Sequence, residues 1–149
     1  MKNWKTTILT AVLAAITVSG LAAAETRASL YQRLGGMPAI RGVVDDLVSR
    51  ILADQRVNQW FAQAASDPAN AAAYKQKLAD FLCQGTGGPC QYTGADMVTA
   101  HKGRGVTDEA FSAVVEDLVA TLDKLKVPEK EKADLLGILG PMKAAVVRH

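Results

Sequence analysis

The stretch from Gly87 to Val106 constrains this chain more than any other part of it. Glycines at 87, 88, 94, 103 and 105, with Pro89, break one helix, open a loop and leave room for little more than a single helical turn before the chain is broken again. That turn carries Met97 and His101. Apart from the terminal His149, His101 is the only histidine in 149 residues. One imidazole is thus presented alone, on a short element tethered by loops at both ends.

The flanking sequence is helical. Ile40, Val43, Val44, Leu47, Val48, Ile51 and Leu52 recur at helical spacing, with Arg41, Asp45, Asp46, Ser49 and Arg50 between them, which predicts one helix with a single buried stripe. After the break at Ser66-Asp67-Pro68, Tyr74, Lys77, Leu78, Phe81 and Leu82 repeat the pattern and place Lys77 on an otherwise apolar face. Thr107, followed by Asp108 and Glu109, reads as an N-cap with an acidic first turn for a helix striped by Phe111, Val114, Val115, Leu118 and Leu122. Pro128 opens a last helix carrying Leu135, Leu136, Ile138 and Leu139, which Pro141 is expected to kink. No segment alternates with period two for long enough to be a strand.

Neutral imidazole is the commonest protein ligand for transition metals. One histidine cannot build a four-ligand zinc site, but it suffices where a porphyrin supplies the other four iron ligands. Taken alone, an isolated histidine such as His101 is more often a surface or hydrogen-bonded core residue than a ligand. Its surroundings point elsewhere. Leu30-Tyr31-Gln32-Arg33-Leu34-Gly35-Gly36-Met37-Pro38-Ala39-Ile40, then Arg50-Ile51-Leu52-Ala53-Asp54, Trp60-Phe61, Phe81-Leu82, Gly87-Gly88-Pro89, His101 and Gly105-Val106-Thr107 appear in this order. From about residue 29 onward the chain closely resembles the group I truncated hemoglobins. The resemblance implies an all-α, two-over-two helical sandwich around heme. His101 is then the proximal iron ligand and Phe61 packs flat on the heme. Tyr74 is a distal gate, with Leu78 and Leu82 facing the distal cavity. Met97 and Tyr92 touch the porphyrin edge and propionates, Val106 and Phe111 close the pocket behind His101, and Arg104 is available to a propionate.

The departures from the family pattern fall at the distal site. Val48 stands where the family usually carries a ligand-binding tyrosine, and Leu78 where it often has glutamine. Two hydrogen-bond donors are missing, which puts tight oxygen storage in doubt because a donor in a dry pocket stabilises a polarised ligand. Tyr74 and Lys77 remain. Some truncated hemoglobins with lysine at this position bind iron through it, so the resemblance makes Lys77 a candidate internal sixth ligand. The alternative is an ammonium that extends to water and pairs with a propionate.

Residues 1–24 read as a secretory signal peptide cut after Ala24. Met1-Lys2-Asn3-Trp4-Lys5 is a basic start, Ile8 to Val18 is apolar apart from Thr10 and Thr17, and Ala22-Ala23-Ala24 offers a small-residue site. The apolar run is shorter than the roughly 20 residues that span a bilayer, so a retained anchor is the lesser reading. Residues 25–149 would then form one globin domain in the periplasm or outside the cell, without membrane attachment. Lys2 and Lys5 leave with the leader, and the remainder carries 15 basic and 15 acidic residues. A neutral chain without a basic block has no footprint for nucleic acid.

Cys83 and Cys90 lie seven residues apart across the glycine break. In an oxidising compartment both a disulfide and two separate thiols, with Cys83 half-buried, stay open. No Cys-x-x-Cys-His run is present, so heme b rather than covalently attached heme is expected. A phosphate-binding glycine loop ending in Lys-Ser or Lys-Thr, a histidine-based triad and recognisable paired carboxylates are likewise absent, which leaves heme chemistry as the only enzymology. Three readings follow. The first is a protein binding oxygen or another diatomic gas. The second is a heme enzyme resembling a nitric oxide dioxygenase or peroxidase, which needs an external reductase. The third is an electron-transfer or sensor protein. A globin-like interaction module without heme would overturn all of them.

Overall fold

The computed structural model of the protein describes residues 28–147, so the proposed leader lies outside the described residues. Among these residues the secondary structure is entirely helical. Helix α1, Leu30–Leu34, starts at a capping box. The Ser29 hydroxyl accepts from the Gln32 amide at 3.3 Å, and the Gln32 side chain accepts from the Ser29 amide at 3.0 Å. Gly35 then turns the chain directly into α2, Gly36–Ala53. A four-residue helix α3, Asn58–Phe61, makes the corner.

Helix α4, Pro68–Gly85, begins where the Ser-Asp-Pro break placed it. Asp67 accepts from the amides of Ala69 and Asn70, and Pro68 occupies a position whose missing N–H costs nothing. Helix α5, Met97–His101, is the expected single turn between glycine segments. Helix α6, Asp108–Lys124, is capped by the Thr107 hydroxyl, which accepts from the Ala110 amide at 3.1 Å. Pro128 precedes α7, Glu129–Leu139. Pro141 ends the regular helix in a 3-10 turn, Gly140–Met142, before the short α8, Lys143–Val146.

Helix α2 packs against both α4 and α6, α1 bridges α2 and α7, and α5 meets α8. Val44, Ile51, Val57, Leu122 and Leu135 are almost completely excluded from water. Asp46 joins the two halves of the core: it accepts from Thr121 at 3.0 Å, pairs with Arg50 one turn along α2, and pairs with Lys124 of α6. These partners hold its carboxyl well below the usual carboxylate range, Lys124 contributing most. Arg33 fastens α1 to α7 through Glu131 at 2.5 Å and Asp134 at 2.6 Å.

Helix α6 differs from the stripe read in its sequence. Its most tightly packed residues include Ala110, Ala113 and Thr121 as well as Leu118 and Leu122, because small side chains let the helix approach α2 closely. Phe111, Val114 and Val115 are only half-buried, and they turn towards a large internal cavity. The cysteine alternative also resolves. Cys83 and Cys90 are joined in a disulfide with Cα atoms 5.8 Å apart, and Cys83 is fully buried rather than half-buried. Gly88 lies inside this bridge, where an added Cβ would sit 2.6 Å from both Cys83 Sγ and the Tyr31 ring.

Candidate functional site

A cavity of about 760 Å³ opens between α4 and α6 and is floored by α5. Its size falls in the range of small-molecule and cofactor sites. The sequence-selected residues converge on it. Phe61 enters from α3, Tyr74, Lys77, Leu78 and Leu82 from α4, Tyr92 from the loop, Met97 and His101 from α5, and Val106 and Phe111 from the start of α6 and the residue preceding its cap. Arg104 also lines it.

The imidazole of His101 is oriented by its own helix. Nδ1 lies 2.8 Å from the Met97 carbonyl oxygen, one turn back. A carbonyl can only accept, so Nδ1 carries a proton, and in the neutral ring Nε2 is the nitrogen with the free lone pair. This is how a protein fixes the tautomer and raises the basicity of a metal-binding histidine. The short α5 is in turn started by Asp96, whose side chain accepts from the Thr99 amide at 3.0 Å and the Thr99 hydroxyl at 2.6 Å. Upstream, the Tyr92 hydroxyl donates to the Ala95 carbonyl at 2.9 Å, and the Tyr92 ring stands edge-on to Phe81 with centroids 5.2 Å apart. Downstream, Gly103 and Gly105 adopt φ of 73° and 62°, a left-handed region that side chains with a Cβ rarely enter. They reverse the chain on either side of Arg104. The Trp60 indole N–H donates to the Arg104 carbonyl at 2.9 Å.

The α4 wall is apolar apart from Asn70, Tyr74 and Lys77. Tyr74 stands edge-on to Phe61 with centroids 5.9 Å apart, and burial pushes its phenol up to about 12. Its hydroxyl makes no hydrogen bond among the described residues, so it is a neutral donor facing the cavity. Lys77 is exposed at the rim. The α2 wall differs in detail from the sequence reading: Leu47 lines the cavity, while Val48 is buried behind Phe61 and Tyr74 beside a separate apolar void of about 10 Å³. Leu47 escaped notice because it shares its stripe with ordinary core residues. Val114, Val115 and Leu118 could have been found from their spacing with Phe111. Leu136 and Leu139 stood in the stripe of the last helix, whereas Met142 and Val146 carried no such signal, since their approach depends on the turn at Pro141.

The cavity's charged lining is of one sign. Lys77 and Arg104 contribute to it, no Asp or Glu does, and neither cation has an ion-pair partner among the described residues. No cluster of three or more metal-ligating side chains occurs there or elsewhere among the described residues. A site with one oriented imidazole, extensive apolar walls and two rim cations suits a flat apolar group that brings its own metal and two carboxylates. The residues present fit heme: His101 for the axial position, Phe61, Leu78, Leu82, Val106 and Phe111 for the macrocycle, Lys77 and Arg104 for the propionates.

Fold and cavity together define a shortened globin-type domain built around a single oriented histidine. Known proteins agree. The Bacterial-like globin family model matches residues 29–148. The group 1 truncated hemoglobin of Mycolicibacterium paratuberculosis is 35% identical over 115 residues, spanning 77% of this chain and 81% of that one. Its counterpart in Synechocystis is 37% identical over 116 residues, spanning 75% of this chain and 90% of that one. Among solved structures, the 2/2 hemoglobin of Synechococcus, in the cyanomet state with covalently attached heme, superimposes with a TM-score of 0.73 at 34% identity, covering 82% of this chain and 100% of that one. The ferric truncated hemoglobin of Tetrahymena pyriformis gives a TM-score of 0.72 at 28% identity, covering 80% and 98%. The chain belongs to the group 1 truncated hemoglobins.

Proposed function

We propose that the protein holds heme b, with His101 as the proximal iron ligand, and binds a diatomic gas on the opposite face. The observation that carries this reading is the Nδ1 contact to the Met97 carbonyl, which leaves Nε2 as a lone-pair donor in a cavity without carboxylates. Heme, when bound, supplies an iron with one exchangeable axial position for the gas. The protein's part is to hold the macrocycle between apolar walls, neutralise its carboxylates at the rim and set the polarity where the gas sits. Leu78 offers no donor there, and neither does Leu47, the α2 residue that faces the cavity in place of Val48. Tyr74, kept neutral by burial, is the phenol that would donate to a polarised ligand.

Lys77 has two roles open to it. As an ammonium, its exposed position suits a propionate; as a neutral amine, its place on the cavity wall suits the sixth coordination position. Gas binding is favoured over peroxide turnover because Tyr74 and Lys77 are the only titratable side chains on the α4 wall. Turnover of nitric oxide would additionally require an external reductase. The basic start, apolar run and alanine end of residues 1–24 support export to the periplasm or beyond, and the Cys83–Cys90 disulfide is consistent with an oxidising compartment. No helix among the described residues is long and apolar enough to cross a membrane.

Adding hemin to the purified chain tests the reading. A saturable, one-to-one Soret band is expected. Its absence would leave a globin fold without a cofactor and end the proposal.

A further inference from the structure

Helix α5 has five residues, too few to be stable without outside support. Its N-terminal side is secured by the Asp96 cap and by Tyr92, and its body rests on α8. The C-terminal side is more exposed to disorder. Residues 102–105 are all exposed, and around Gly103 and Gly105 an added Cβ would meet nothing within 4 Å, so packing does not fix their conformation. Two hydrogen bonds define the turn. The Arg104 amide donates back to the His101 carbonyl at 3.0 Å, and the Arg104 carbonyl accepts from the Trp60 indole N–H at 2.9 Å. The second is the one side-chain hydrogen bond that joins residues 102–106 to another element among the described residues.

We propose that Trp60 is a positioning residue for His101, acting through the Arg104 carbonyl. Trp60 sits beside Phe61 on α3, and both line the cavity. Its indole closes the chain of bonds Trp60 Nε1 to Arg104 O, and Arg104 N to His101 O, on the two peptide groups that flank Arg104. The same bond fixes the Arg104 backbone, and with it the place from which the guanidinium reaches the rim. The inference rests on His101 being the iron ligand.

The test compares the unmodified full chain with Trp60→Phe, which keeps an aromatic ring and removes only the donor, and with Lys102→Ala, which trims an exposed side chain of the same turn that does not line the cavity. In the heme-free chain, the Trp60 indole proton, assigned by its loss in Trp60→Phe, should exchange slowly with solvent and remain slow in Lys102→Ala. In the heme-loaded proteins, Trp60→Phe should shift the iron–histidine stretching band of the ferrous form. It should also release heme to an excess of an acceptor apoglobin roughly two- to tenfold faster, the span expected for one neutral hydrogen bond. Lys102→Ala should leave the stretching band where it is. Fast exchange of the indole proton in the unmodified chain would show that the bond is absent and overturn the proposal without use of any variant. An unshifted band in Trp60→Phe, or an equal shift in Lys102→Ala, would overturn it while leaving His101 as the ligand. Failure of the unmodified chain to take up heme would end both readings together.

Discussion

Replacing Tyr74 by phenylalanine separates the distal chemistry from the fold. The ring, packed edge-on to Phe61 at 5.9 Å, is retained, and only the hydroxyl is lost. That hydroxyl makes no hydrogen bond within the described protein, so its removal should change folding stability by less than about 0.5 kcal/mol. Its value to a bound ligand is larger. A donor facing a ligand that carries partial negative charge is worth about 1.5–3 kcal/mol, or roughly ten- to hundredfold in dissociation rate. Burial pushes the phenol up to about 12, so it stays protonated and the effect should not vary between pH 6 and 9. The assay is oxygen dissociation from the heme-loaded ferrous protein, followed by rapid mixing, with carbon monoxide as a weakly polarised control. Oxygen release should accelerate by the stated factor and carbon monoxide release by less than about threefold. An oxygen rate within twofold of the parent, or an equal change for both gases, would refute Tyr74 as the distal donor.

Lys77 is decided by alkaline titration of the ferric spectrum. If the amine binds iron, a low-spin form grows as pH rises and is missing from Lys77→Ala, whereas an unchanged alkaline transition in that variant assigns the ligand to hydroxide. Reducing Cys83–Cys90 should lower stability by roughly 2–3 kcal/mol, the chain-entropy value for a loop this short, measured as a lower urea midpoint; an unchanged midpoint would mean that the bridge constrains nothing. Asp46→Ala strands the buried Thr121 hydroxyl and should cost about 1–2 kcal/mol near neutrality. Because the folded state holds this carboxyl below its unfolded value, its stabilisation is present above about pH 4 and lost as pH falls through that range towards the folded value. The stability difference between parent and variant should therefore narrow below about pH 4, and a difference constant with pH would contradict the assignment.

Features encoded locally were readable from the residues. Asp67 before Pro68, Thr107 before two acids and the glycines around Met97–His101 each act within one helical turn, and each begins or ends an element where expected. The cavity residues were legible because resemblance supplied the three-dimensional order that periodicity lacks. Where geometry depended on approach between elements, the sequence was silent. Leu47 and Val48 are adjacent on one stripe, and only the packing of α2 against α4 decides which faces the cavity. Ala110, Ala113 and Thr121 are weak hydrophobic signals, yet their small size sets the distance between α2 and α6. The disulfide stayed open for the same reason, since seven residues allow the cysteines to meet but do not require it. Lys132 would be taken for solvated, but it is buried between Asp123 at 2.5 Å and Glu129 at 2.7 Å.

The account turns on His101. The most direct measurement is equilibrium heme binding to His101→Gly beside the unmodified chain, each with and without added imidazole. Loss of the proximal nitrogen should weaken binding and change the ferrous spectrum, and free imidazole entering the space left by the side chain should restore the parent's spectrum, since no other histidine among the described residues can replace it. A variant that binds heme with unchanged affinity and an unchanged spectrum in the absence of imidazole would contradict the assignment.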